Sequence, residues 1–364
     1  MQHEITQPAP LLDEKGHLRE PGFARRLLPV YDRGAIKAPG WRIKEWDYYY
    51  IGCDHYGVAL TIADNSYMGL DSVTLLDFDK PWEHTTSPMS WFTFGKVGFP
   101  SSSSKGNVSH SGKSHHISFQ NDGKTRRLEF AMKDFCGGKP IEGRIDLADP
   151  QGESMVIATP FAEKPDHFYF NQKINCMAAS GAVSFDGREY TFDPSDSFAV
   201  LDWGRGVWTY RNTWYWGSGS GLAGGVPFGF NIGYGFGDTS AATENVLFYN
   251  HKVHKLDQVQ FHIPMKPKKF QSRGGCCTES GIVVDTADMI EDYLSPWKFT
   301  SNDGRFDMDF LPVIDRHADT NAWLIRSNQH QVFGRFSGKA VLDDGTVIEI
   351  RDFMGFAEKV YNKW

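Results

Sequence analysis

Long apolar runs are missing from this 364-residue chain, and its mean hydropathy is −0.44. Nothing approaches the roughly 20 apolar residues of a membrane-spanning helix, so no integral membrane segment is expected. Cysteine is scarce. Cys53, Cys136, Cys176, Cys276 and Cys277 lack the spacing of a metal site or a redox pair and read as reduced thiols. Charge of one sign is not concentrated either: at a net −7 with Lys and Arg scattered, there is no basic stripe for nucleic acid. The start, MQHEITQPAPLLDEKG, has neither a basic head nor an apolar core, so no secretory leader is expected and the chain reads as cytoplasmic.

The common catalytic signatures are missing too. There is no GxSxG elbow, phosphate-cradling GxxxxGK loop, HExxH zinc helix or dinucleotide fingerprint. Gly217–Gly225 (GSGSGLAGG) is glycine-rich, but it joins two strands and lacks the helix that a phosphate site uses. No cofactor and no metal are therefore expected. His110, His115 and His116, in the serine-rich stretch 100–118, read as part of an exposed loop with no acidic or Cys partner at ligand spacing. Long amphipathic helices are also hard to find; Ala287–Tyr293 offers a short one.

What is present is aromatic and glycine-rich: 14% of residues are Phe, Trp or Tyr, and there are 37 Gly, a balance that favours strands and tight turns. Ile43, Glu45, Asp47, Tyr49 and Ile51 share one face of a first strand over 41–51, by the period of two. A carboxylate pair on such a face is either salt-bridged structure or an acid pair in a barrel lumen. In 167–177, HFYFNQKINCM, the face bearing Asn171, Lys173 and Asn175 is either solvated or lines a polar cavity. Asp-Gly pairs at 122, 186, 303 and 344 each stand between alternating segments and signal hairpins. The expectation is an all-β protein of many antiparallel strands: an arm over 1–40, a first half over 41–192 and a second over 193–364.

The densest signal runs from Asp196 to Asp238. Trp203, Trp208, Trp214 and Trp216 fall within fourteen residues, and buried indoles need polar partners for their N–H groups. Downstream, Phe228, Phe230, Ile232 and Tyr234 alternate with Gly229, Asn231 and Gly233, and glycines along one strand face indicate close approach by a ligand, a neighbouring sheet or a bulky Trp. A carboxylate desolvated by indoles has its pKa raised, which is how a general acid works near neutrality. Asp202 is the candidate proton donor, Arg205 the orienting cation, and Glu45 and Glu244 the reserve acids. Trp203, Trp208, Trp214, Trp216, Asn231, Tyr234 and Lys173 are candidate ligand contacts.

Several segments carry a resemblance. LLDEKGHLREPGFARRLLPVYDR, RIKEWDYYYI, FNQKINCM, DWGRGVWTYRNTWYWGSGSG, FGFNIGYGFGDTSAATENVLFY and WKFTSNDGRFDMDF resemble the domain-of-unknown-function family 2804 over almost the whole chain. More distantly the chain is similar to the lipocalin-like superfamily of carotenoid 1,2-hydratases, tocopherol cyclases and fungal pericyclic enzymes. That likeness implies two lipocalin-like antiparallel β-barrel or β-sandwich halves packed together, and a small apolar or amphiphilic ligand handled without a redox cofactor. Asp202-Trp203-Gly204 and Trp214-Tyr215-Trp216 resemble the superfamily's Asp-His-x-Trp-Gly and Trp-x-Trp motifs, with the His missing. The expected function is a cofactor-independent hydratase, lyase, isomerase or cyclase. The alternatives are a lipid or pigment binding protein without chemistry, or a carbohydrate-active protein with two carboxylates across an open cleft.

Overall fold

The computed structural model describes residues 2–268, 289–322 and 325–363. Among the described residues the regular structure is nearly all strand, as the alternation and Asp-Gly turns lead one to expect. We number the main strands of the two large sheets; Gly22–Ala24, Met89–Trp91 and Arg188–Phe192 are short additions to the first, the last forming the hairpin after Asp186–Gly187. The first sheet holds β1 (Ile43–Gly52), β2 (Tyr56–Asp64), β3 (Met68–Asp77), β4 (Trp82–Thr86), β5 (Gly106–Ser111), β6 (His115–Asn121), β7 (Thr125–Cys136), β8 (Lys139–Ala148), β9 (Met155–Phe161), β10 (Lys164–Phe185) and β11 (Phe198–Val207). The second holds β12 (Arg211–Ala223), β13 (Val226–Tyr234), β14 (Val246–Tyr249), β15 (Lys252–Lys255), β16 (Val259–His262), β17 (Trp297–Ser301), β18 (Phe306–Ala322), β19 (Ile325–Val341) and β20 (Val347–Lys363).

Hydrogen bonding orders the first sheet β4-β3-β2-β1-β11-β10-β8-β7-β6-β5, with β9 beside β10; the second runs β15-β14-β13-β12-β20-β19-β18-β17-β16. β11 follows residue 193, where the sequence pattern puts the start of the second half, yet it pairs with β1 and β10 inside the first sheet. The change of sheet falls at 208–210. The N-terminal arm straps both sheets: Gly22–Ala24 pairs with β9, while the His3 amide donates to the Ala241 carbonyl.

All four Asp-Gly pairs sit in hairpins, and Gly123, Gly187, Gly304 and Gly345 take positive φ there. Asp186 and Gly187 both do so, as a two-residue turn that follows the strand twist requires. The stretch 100–118, expected as an exposed loop, instead forms the β5–β6 hairpin. Val108, Ile117 and Phe119 alternate inward and anchor it in the core. Cys53, Cys136 and Cys176 are free thiols, while Cys276 and Cys277 lie outside the described residues. Of the expected helix Ala287–Tyr293, the first two residues lie outside them as well, and Met289–Glu291 is a strand. Among the described residues no helix is long and apolar enough to cross a membrane.

Each sheet has its own core. Ile51, Leu60, Val73, Leu201 and Trp203 lie in the first, and Phe228, Phe230, Phe310 and Phe336 in the second. The opposite faces of β1, β11, β12 and β20 meet through Tyr48, Tyr50, Val200, Trp216 and Phe356. That contact between sheets is where the polar residues gather.

Candidate functional site

Two cross-strand rows make the site. On the first sheet, Asp202 of β11 stands directly between Tyr48 of β1 and Lys173 of β10. On the second, Glu358 of β20 stands between Trp216 of β12 and Gln331 of β19. Directly opposed residues on antiparallel strands share a face, so each row offers three side chains to the other sheet. The face bearing Asn171, Lys173 and Asn175 is therefore not solvated: all three are buried, with Asn175 donating to Ser218 and Lys173 lying over Trp216 of the second sheet. Met177, two residues further on, points the other way into the first core, because a bulge at Cys176 (φ 60°) shifts the register between Ile174 and Met177.

Asp202 is held by three donors. Lys173 Nζ lies 2.9 Å from Oδ1, Asn171 Nδ2 donates to Oδ1 at 2.5 Å, and the Trp46 indole donates to Oδ2 at 3.2 Å. Lys173 also approaches Glu244 at 3.9 Å and rests 4.1 Å above the Trp216 ring, a cation–π contact inside the protein. Trp216 donates to Asn231 at 2.7 Å, and Asn231 in turn donates to the Glu244 carboxylate at 3.3 Å. Glu358 accepts from Trp214 at 2.9 Å and from Gln329 at 3.1 Å. The Gln331 amide donates to Tyr48 at 3.2 Å. The Asn171 side-chain carbonyl is buried without a hydrogen-bond partner.

Burial raises two of the acids here. It pushes the Glu358 carboxyl up to about 7, opposed by the hydrogen bonds from Trp214 and Gln329 and by the nearby charges of Lys173 and Arg316. Burial raises Glu244 as well, with Lys173 opposing. The Tyr169 phenol, stacked on Trp46 at 6.3 Å, is raised first by burial and then by Glu244, Asp202 and Glu358 together. Those three carboxyls thus bear on one phenol. Asp202 and Glu244 keep 11% and 12% side-chain exposure, so the enclosure is not sealed. Cavities of about 640 and 400 Å³ open elsewhere, lined by none of these residues.

Of the residues singled out from sequence, Asp202, Lys173, Glu244, Asn231, Trp214 and Trp216 come together. Arg205 and Glu45 do not join them, because an offset of three along β11 turns a side chain to the opposite face. Arg205, fully buried, donates to Asp47 at 3.0 Å and to the Trp46 carbonyl at 2.8 Å, with its guanidinium 4.1 Å over the Trp203 ring in the first core. Glu45 accepts from Tyr31 at 2.9 Å and from Arg33 at 2.5 Å on that same face, so its setting is that of salt-bridged structure. Trp203 packs edge-on to Tyr31 and Phe170. Trp208 packs with Trp46 and Phe236 at the margin of the site, and Tyr234 stacks on Tyr215 toward the second core.

On the glycine face of β13, Gly229 lets the first sheet approach, since a Cβ there would stand 2.9 Å from Cys176 Sγ, while a Cβ at Gly233 would stand 3.0 Å from Glu244 of the site. Gly204 has a similar reason: a Cβ there would sit 1.9 Å from the Trp46 ring that donates to Asp202. Sequence reasoning missed Trp46, Tyr48, Tyr169 and Glu358, and placed Asn171 only on a polar face. The available signal for Glu358 was a lone acid in line with Phe356 and Val360 on a strand with apolar alternation.

No curated protein matches the chain in sequence. Among solved structures, a protein of Nitrosomonas europaea assigned as AttH is similar at 13% identity and TM-score 0.53, over 92% of this chain and 99% of that one. Kievitone hydratase from Nectria haematococca is similar at 14% identity and TM-score 0.47, over 97% and 98%. CghA, solved with Sch210972, is similar at 10% identity and TM-score 0.48, over 88% of each chain. The first of these likenesses is one of fold. The sequence profile of the domain of unknown function DUF2804 matches residues 2–364, and the chain belongs to that family.

Proposed function

We propose that this protein is a cofactor-independent acid–base enzyme acting on a small, largely apolar molecule between the two sheets. The reaction class is hydration, elimination, isomerisation or cyclisation. One observation carries the reading: an ammonium and three carboxyls share an enclosure walled by Trp46, Trp214, Trp216, Tyr48 and Tyr169, and burial holds one carboxyl near 7. A carboxyl titrating near neutrality both gives and takes protons at working pH. Adding water across a carbon–carbon double bond needs a proton delivered to one carbon and another removed from the attacking water. Glu358 fits the first task and Asp202 the second. Lys173, in place of Arg205, orients Asp202, and the indole faces suit a cationic transition state. The Asn171 carbonyl is free to accept from a substrate hydroxyl.

The experiment is to incubate an apolar extract of the host with the protein in D2O and follow masses. Wild type should place solvent deuterium on carbon, or add the elements of D2O, in at least one component. Asp202→Asn and Glu358→Gln should each lower that rate by roughly 100-fold or more, the usual scale of a general acid or base. Rates unchanged in both variants would refute the assignment. A component bound by all forms but altered by none would make the protein a carrier.

A further inference from the structure

We infer that the first sheet binds a divalent transition-metal cation of the zinc class through Asp71, His110 and His115, across the seam where its two ends meet. Asp71 lies on β3, near one end of the ordered path, while His110 and His115 lie on β5 and β6 at the other. Among the described residues no backbone pairing joins β3 to β5 or β6. The first sheet is therefore left open there by its hydrogen-bond ladder, and side chains bridge the gap.

His110 Nδ1 lies 2.5 Å and His115 Nε2 2.7 Å from the same oxygen, Asp71 Oδ2, and the three ligand atoms all fall within 4.8 Å of one another. Two imidazoles and a carboxylate on one point are a donor set that suits zinc, and three protein ligands leave a fourth position for water. Bond lengths of about 2.0–2.2 Å in a tetrahedral site require the carboxylate to draw back from both imidazoles so that the ion fits between them. The ligands point inward by the same alternation that buries Val73, Val108 and Ile117. Asp71 and His115 are nearly enclosed, at 4% and 7% side-chain exposure, while His110, at 29%, leaves an entry. The serine-rich stretch lacked an acidic partner in sequence; the fold supplies one from thirty-nine residues upstream of His110. His116 takes no part, bonding to Ser111 at 2.7 Å.

The test uses the full chain, stripped with chelator, and Zn²⁺ alone as the probe, read by titration calorimetry and by the thermal midpoint. Wild type and His116→Ala should bind one equivalent and gain in midpoint. His110→Ala should lose affinity by more than the roughly tenfold to hundredfold that a merely supporting contact is worth, and the double variant His110→Ala/His115→Ala should bind nothing at this site. Co²⁺ should give the visible absorption of a tetrahedral N/O site in wild type and His116→Ala, and in neither of the other variants. Equal Zn²⁺ uptake by wild type and the double variant, or no uptake by either, would overturn the inference. Circular dichroism of the metal-free variants separates loss of ligand from loss of fold.

Discussion

Replacing Glu358 by Gln tests the electrostatics of the site without any knowledge of the substrate. Burial carries this carboxyl from its usual 4.5 to about 7. A group whose pKa is higher in the folded state contributes its full stability below the unfolded value and loses it as pH rises through the folded one. Wild type should therefore lose stability between pH 4.5 and 7. A shift of that size corresponds to about 3 kcal/mol, at roughly 1.4 kcal/mol per unit. A glutamine cannot ionise, so the slope from this group vanishes. The cost of the substitution is small: the new side-chain amide keeps an acceptor oxygen for Trp214, and the Gln329 amide can turn to receive its N–H. One imperfect hydrogen bond is worth about 1 kcal/mol. The variant should thus be slightly less stable than wild type at pH 4.5 and more stable at pH 8, the curves crossing between. Urea denaturation midpoints at half-unit pH steps measure this. Parallel curves across the range would show that Glu358 does not carry a raised pKa and would remove it as the proton donor.

Gly204→Ala should push the Trp46 ring off Asp202, costing about 1–3 kcal/mol as overpacking. A shifted Trp emission spectrum with turnover reduced as in Asp202→Asn is expected; an unchanged spectrum would count against the contact. Arg205→Met strands Asp47 in the first core and should destabilise by about 3–5 kcal/mol, yet turnover per folded molecule should hold, since Arg205 faces away from Asp202. Loss of turnover with the fold intact would contradict the separation of the two faces. Lys173→Met should leave Asp202 with only its Asn171 and Trp46 donors and cost stability by about 3 kcal/mol or more. A variant as stable as wild type would mean that the buried ion pair is not formed.

The all-β class was legible from alternation and from four Asp-Gly turns, because a strand's period of two and a turn's need for positive φ are local properties. The same local rule already set Asp202 and Arg205 on opposite faces, and put Lys173 beside Asn171. Sequence could not say what each face would meet. The sequence left the face of Asn171, Lys173 and Asn175 as either solvated or lining a polar cavity, and only the packing of the sheets buries it. Glu358 lies far along the chain from Asp202 and joins it only because β20 pairs with β12 and packs over β11. The bulge at Cys176 reverses every later side chain of β10, and one extra residue leaves no clear mark in a pattern of mixed polarity. Asp71 reaches His110 and His115 only when the curled sheet brings its ends together. Strand, turn and facing direction are decided within a few residues of chain, whereas which charges share an enclosure depends on sheet order and on the closing of one sheet upon another.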